Sequence, residues 1–209
     1  FLLMKIMYRV IGLDVIVSTG IQDVLFVFAL VGMVMGSISA IRQTDIRRMI
    51  AFSSVAQIGY VFMGIGLGTD EGMMAATFHI FSHAVCKSML FLAAGGLADA
   101  SNNSKKFRDL RGAGFRSPIA GVAFTIGALS MVGFPFLGGF ASKLNFALAA
   151  MDVGGARTML VLITLAISTW LNTLYFLRTV ITLYRKPVPG AVYSVARGQR
   201  GFCFNASLV

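Results

Sequence analysis

The chain has 209 residues, of which 57% are hydrophobic and 12% charged, and its formal net charge is +10. Soluble domains carry about 25% charged residues, so this composition, with a mean hydropathy of +0.82, excludes an ordinary water-soluble protein and defines a helix-rich integral membrane protein. The excess of base does not point to nucleic acid: it sits in short connections between apolar runs, as the positive-inside rule expects, and no stacking platform or RNA-type motif accompanies it.

Six apolar segments follow in order. The first, Phe1 to about Val17, is short, carries Lys5 and Arg9, and reads as the end of a helix. The second runs from Ile21 to Ile41, the third from about Met49 to Leu67, the fourth from about Met73 to Leu97, and the sixth from about Thr158 to Tyr184. About 20 apolar residues cross a bilayer core, so each of these four fits one span. The fifth, Ser117 to Met151, holds 35 residues, too many for one straight span and too few for two with a loop. In its middle stand Gly133, Pro135, Gly138 and Gly139. Pro135 lacks a backbone donor and clashes with the preceding turn, and the glycines weaken the helix further. The expectation is two half-helices joined by an extended break, a feature that points to transporter binding sites. Two separate interfacial half-helices are the competing reading.

The loops give the orientation. Loop 42–48 has Arg42, Arg47 and Arg48 against Asp45. Loop 99–116 has Lys105, Lys106, Arg108, Arg111 and Arg116 against Asp99 and Asp109, and the tail has Arg185, Lys186, Arg197 and Arg200 with no acid. The opposite connections are poor in base. The asymmetry alternates when the fifth segment counts as one crossing, which puts both basic loops and the tail in the cytoplasm, with the protein multi-pass in the plasma membrane. Residues 1–185 form the transmembrane domain in this reading, and 186–209 form a polar tail, disordered or surface-lying.

Chemistry-bearing residues concentrate on the fourth segment, where His79, His83 and Lys87 recur at i, i+4 and i+8 and stack along one helical stripe. A lysine near the bilayer centre costs roughly 2.5–3.5 kcal/mol on insertion scales, and such residues mark ion or proton paths. Burial disfavours the charged form, so Lys87 could accept and release protons; the competing reading is a lysine that snorkels or pairs with an acid. Histidine passes protons through its two nitrogens, although a packed core histidine is also consistent with either position. A metal site is not expected, since no HExxH occurs and no acid or thiol shares the stripe. Lys143, just after the break, could meet water at a half-helix end or snorkel outwards. Ser53, Ser54, Gln57 and Ser82 could hold water or make helix-packing hydrogen bonds.

Cys86 and Cys203 do not make a disulfide framework, and Cys86 reads as a packing residue. Iron–sulfur and haem-attachment spacings are absent, and no cofactor is expected. Phe1 already lies in an apolar run without the order of a signal peptide, so the chain is expected to be a piece of a longer protein.

Three stretches carry a resemblance: DIRRMIAFSSVAQIGYVFMGIGLG at 45–68, FHIFSHAVCKSMLFLAAGG at 78–96 and ALSMVGFPFLGGFASK at 128–143. Together, in this order, they resemble the antiporter-like membrane subunits of Mrp-type Na⁺/H⁺ antiporters, of respiratory complex I and of membrane hydrogenases. The resemblance covers roughly residues 1–185. It implies about fourteen helices in two inverted five-helix repeats, each with one broken helix, the present segments two to six being the second repeat. It further implies that the helix with His79, His83 and Lys87 connects two half-channels and that Lys143 is the outlet-side proton carrier. The first repeat, with its buried Glu–Lys pair, is absent from this sequence, and the tail after Tyr184 does not follow the family.

The function expected is therefore proton translocation within a multisubunit cation/proton antiporter. The implied partners are other membrane subunits, the lipid bilayer, protons and Na⁺, with no nucleic acid. The alternatives are a proton-pumping subunit of an NADH–quinone oxidoreductase or membrane hydrogenase, with redox chemistry in its partners, and a truncated, purely structural remnant.

Overall fold

The computed structural model describes residues 2–187; nearly all of the polar tail, including Cys203, lies outside the described residues. The elements are α1 (Leu2–Lys5), a π-helical stretch (Ile6–Ile11), α2 (Leu13–Thr19), α3 (Ile21–Ile41), α4 (Ile46–Gly66), α5 (Asp70–Asp99), α6 (Ala113–Arg116), α7 (Pro118–Val132), α8 (Gly138–Val153) and α9 (Gly155–Leu183). The result is an all-α polytopic bundle. α3, α4, α5 and α9 are each long and apolar enough to cross a membrane, and α7 with α8 forms the broken fifth segment.

The second segment coincides with α3, whereas the third and fourth begin three residues earlier than hydropathy indicates. Capping explains the difference. The Asp45 carboxylate accepts from the backbone N–H of Arg47 at 2.8 Å and of Arg48 at 3.1 Å, and the Thr69 hydroxyl accepts from Gly72 N–H at 3.1 Å. Such caps satisfy donors that have no partner within the helix, so a polar first turn is stable. The first segment departs further from expectation, because it is not one continuous helix end. Gly12, at φ +88°, separates the π-helical stretch from α2, a conformation that glycine adopts without steric cost.

The fifth segment breaks where Pro135 lies, with Gly133 at φ +97° closing α7 and Phe136, 99% exposed, at φ +71°. Gly138 and Gly139 are not part of the break, as the sequence reading had them; they form the first turn of α8. A Cβ on Gly139 would run into the backbone carbonyl of Ser130, so this glycine allows the two halves to approach.

The basic segments gather at one end of the bundle. Ile46 N–H donates to Lys105 O at 3.0 Å and Phe107 N–H to Thr44 O at 3.1 Å, which ties loop 42–48 to loop 99–116. Tyr184, at the end of α9, meets Phe115 edge to face, 5.3 Å between ring centres. At the other end, Arg157 pairs with Asp23 and the Tyr8 hydroxyl donates to Ile65 O at 3.3 Å.

The buried apolar residues fall into two clusters. One, towards the basic end, contains Ile46, Ile50, Leu90, Phe124 and Phe176. The other contains Phe26, Met33, Tyr60, Met63, Phe146 and Val161. α3 and α4 come together through glycine. A Cβ on Gly36 would stand 2.6 Å from the backbone nitrogen of Ala56, whereas one on Gly32, a turn earlier, would meet nothing within 4 Å. Gly36→Ala is expected to cost about 1–3 kcal/mol through overpacking against rigid backbone. Gly32→Ala should be neutral or slightly stabilising, because alanine is the better helix former. Thermal unfolding of the two variants in detergent measures the difference, and equal shifts would contradict the close α3–α4 contact.

Candidate functional site: a polar layer between two apolar clusters

Between the two clusters every long helix contributes buried polar side chains: Ser37 from α3, Ser53 and Gln57 from α4, His79 and Lys87 from α5, Ser130 from α7, Ser142 from α8, and Ser168 and Asn172 from α9. Helix geometry produces this layer. On α4 the inward stripe reads Met49 and Ile50, then Ser53 and Gln57, then Tyr60 and Met63, a polar interval of about two turns inside an apolar face.

Lys87 lies near the middle of the 30-residue α5 and is 6% exposed. Its ammonium reaches α4, donating to Ile50 O at 3.0 Å and to the Ser53 hydroxyl, while Ser53 donates in turn to Ile50 O at 2.8 Å. The Phe176 ring of α9 lies 5.8 Å from Nζ. These hydrogen-bond partners are uncharged, so Lys87 neither snorkels to an end nor rests on a carboxylate through them. A buried ionisable group in this setting is held by oxygen dipoles and a ring face.

The two histidines lie along the same stripe. Their rings are stacked 5.9 Å apart at 12°, and His79 also stacks with Tyr60 at 5.2 Å. His79 Nδ1 and the Ser142 hydroxyl share a hydrogen bond of 2.7 Å. That bond joins the α5 stripe to α8, one residue before Lys143. Nε2 of both histidines and Nε2 of Gln57 are buried with no hydrogen-bond partner. Buried polar atoms of this kind are usually satisfied by ordered water.

Lys143 is half-buried, and its Nζ donates to Val132 O at 2.6 Å. Val132 is the last residue of α7, so the cation sits at the negative end of that half-helix. Gly133 leaves room for the side chain, since a Cβ there would come within 3.2 Å of Lys143 Cδ. On its outer side Lys143 borders an apolar groove of about 400 Å³ between α8 and α9. The half-helices on either side of the break touch α5 twice more. The Cys86 thiol and Ser130 hydroxyl are 3.1 Å apart, and Gly139 N–H donates to the same hydroxyl at 3.3 Å. A Cβ on Gly138 would stand 2.9 Å from Ser82 Oγ.

Of the sequence candidates, His79, His83, Lys87, Lys143, Ser53, Gln57 and Ser82 thus line or border one interior layer with the break. Ser54, half-buried, borders it as well: its hydroxyl donates at 3.2 Å to Ile50 O, the carbonyl that also accepts from Lys87 and Ser53. Sequence reasoning missed Ser130 and Ser142, and it missed the α9 contribution entirely. On α9 the Tyr175 hydroxyl donates to Asn172 Oδ1 at 2.6 Å, Ser37 Oγ lies 3.5 Å from the same oxygen, and Asn172 Nδ2 has no hydrogen-bond partner. The signal was present: Ser168, Asn172, Tyr175 and Thr179 recur at helical spacing inside an apolar run.

These features define a polytopic helical membrane protein with a polar interior layer beside a broken helix. The chain belongs to the family described as NADH:quinone oxidoreductase/Mrp antiporter, transmembrane, whose model matches residues 3–169. It is 37% identical over 193 residues to NADH-quinone oxidoreductase subunit N of Desulforudis audaxviator (strain MP104C), covering 91% of this chain and 38% of that protein. Among solved structures it is similar to a chain of the membrane-bound sulfane sulfur reductase, an archaeal respiratory membrane complex, with TM-score 0.76, 29% identity and coverage of 90% and 38%. It is also similar to a chain of the Mrp complex from Dietzia sp. DQ12-45-1b, with TM-score 0.70, 28% identity and coverage of 81% and 31%. The chain therefore spans well under half the length of these relatives.

The His79–Ser142 bond has a simple consequence. Ser142→Ala removes the side-chain partner of Nδ1 on a buried imidazole, at an expected cost of about 1–3 kcal/mol. Ser54→Ala should cost less, because Ile50 O keeps its bonds from Lys87 and Ser53 and no buried group loses its last partner. Thermal unfolding of the two variants in detergent distinguishes them.

Proposed function

We propose that the chain is a proton-translocating part of a membrane subunit in a multisubunit cation/proton antiporter, with His79, His83, Lys87 and Lys143 as its relay. The observation that carries this reading is the hydrogen bond between His79 and Ser142, which links the ionisable stripe of α5 to the broken helix bearing Lys143. An imidazole takes a proton on one nitrogen and releases one from the other, and a serine hydroxyl donates and accepts at once. A proton leaving Lys87 can therefore pass along His83, His79 and Ser142 to Lys143, with water on the unpartnered Nε2 atoms completing the line. The dipole of α7 stabilises the cation formed on Lys143, and the break gives that end access to water.

In this reading residues 1–185 form the membrane domain, and the other membrane subunits of the complex drive charge changes at Lys87. The positive-inside rule puts loops 42–48 and 99–116 and the tail in the cytoplasm, with the protein in the plasma membrane. A second setting, as a subunit of an NADH–quinone oxidoreductase, is favoured by the 37% identity to subunit N. The relay is the same there, while the redox chemistry belongs to partners. Neighbouring genes separate the two settings: cation-antiporter subunits in one case, flavin and iron–sulfur subunits in the other.

Replacing Lys87 or Lys143 with Ala in the assembled complex is expected to slow proton-coupled transport in sealed vesicles roughly a hundredfold, the order of a lost acid–base group. Assembly should be retained. Unchanged coupling in a normally assembled variant removes that residue from the path.

A further inference from the structure

A pocket of about 540 Å³ opens at the basic end of the bundle, between loop 99–116 and the end of α9. Its charged lining is Lys106, Arg108, Arg111, Arg178 and Arg185, against the single carboxylate of Asp109. That carboxylate is already engaged, accepting from Ser104 at 2.6 Å and facing Arg108 at 3.6 Å. Arg178 is fixed rather than free: it donates to Ile41 O at 3.2 Å and its guanidinium lies 5.6 Å from the centre of the Phe107 ring. The pocket is therefore a partly preorganised concavity with a strong surplus of cationic donors.

The surface below it is apolar. Ile163, Ile167, Trp170, Leu174 and Ile181 recur at helical spacing on the same stripe of α9 as Arg178, with Arg185 just past the helix end, and all five are exposed. With 29 residues, α9 is roughly 43 Å long at ~1.5 Å per residue, longer than the ~30 Å hydrocarbon core, so its last turns reach headgroup depth. We infer that this pocket binds the phosphate of an anionic phospholipid whose acyl chains lie along the exposed stripe of α9. The surplus of cations selects for negative charge, the guanidinium forks match phosphate oxygens, and the continuous apolar stripe beneath distinguishes a lipid from a soluble anion. Basic pockets beside transmembrane helices are suited to such headgroups. The site does not depend on the proton relay.

Trp170 is the single tryptophan of the chain, and it is 66% exposed on this stripe. It lies eight residues before Arg178, about 12 Å along the helix, within reach of an acyl chain whose headgroup is in the pocket. The full chain is reconstituted in bilayers containing either phosphatidylglycerol or phosphatidylcholine with brominated acyl chains, and quenching of Trp170 fluorescence is measured. The expected result is preferential quenching by the brominated phosphatidylglycerol. Arg178→Gln and Arg185→Gln should each weaken that preference roughly fivefold, from about 1 kcal/mol per interfacial cation. Arg185→Gln keeps the test valid if loss of Arg178 disturbs folding. Arg48→Gln removes one charge at the same end outside the pocket and should leave the preference intact. Equal quenching by the two lipids overturns the proposal, as does an equal loss in Arg48→Gln, which would reduce the effect to general surface charge. Abolition of the preference by millimolar inorganic phosphate overturns it too, since the site would then be one for free anions.

Discussion

The rest of the interior is arranged around the need to keep a lysine ammonium in the middle of a bundle that crosses a membrane. Lys87 is held by one backbone carbonyl of α4 and a serine hydroxyl that itself bonds that carbonyl. An ion at this depth is tolerated only where dipoles replace the lost hydration. α4 must therefore present Ile50 and Ser53 to α5 at close range. α4 and α5 approach closely through Gly64 and Gly72, where a Cβ on Gly64 would stand 2.6 Å from the Gly72 carbonyl oxygen. The apolar core is accordingly divided in two, with the polar layer between the halves.

The broken helix belongs to the same arrangement. A continuous helix through residues 118–153 would offer no free carbonyl at mid-depth. The break exposes Val132 O to Lys143 and brings Gly139 N–H to Ser130, which in turn contacts Cys86 beside Lys87. Each lysine thus rests on a main-chain carbonyl, Ile50 in one case and Val132 in the other. In the relay we propose, the intervening His83, His79 and Ser142 exchange protons without large movement. Irregular backbone at this depth is tolerated because it is packed against α5 rather than against lipid alone.

The two ends of the bundle differ in kind. At one end, loops 42–48 and 99–116 are joined by main-chain hydrogen bonds, and the last turns of α9 close over them through Arg178 and Tyr184. A basic sequence there becomes a shaped cationic surface. At the other end, short connections are fastened by single contacts such as Arg157 with Asp23 and Tyr8 with Ile65. The charge bias that orients a membrane chain also builds a strongly cationic concavity.

Composition and hydropathy alone were sufficient for the membrane class, the number and order of the spans, the break at Pro135 and the stripe of His79, His83 and Lys87. These depend on local properties: the length of apolar runs, the conformational limits of proline and the 3.6-residue period. Helix starts were misplaced by three residues, and the interruption at Gly12 was missed, because caps and left-handed glycines are settled by backbone hydrogen bonds that hydropathy does not record. Tertiary structure alone decided what the ionisable groups touch. That Lys87 meets Ile50 and Ser53, that Ser142 joins His79 to the half-helix of Lys143, and that α9 adds Asn172 and Ser168 all depend on which helix faces which. A polar residue in an apolar run announces that it will be buried, but its partner lies tens of residues away in sequence, and only packing brings the two together.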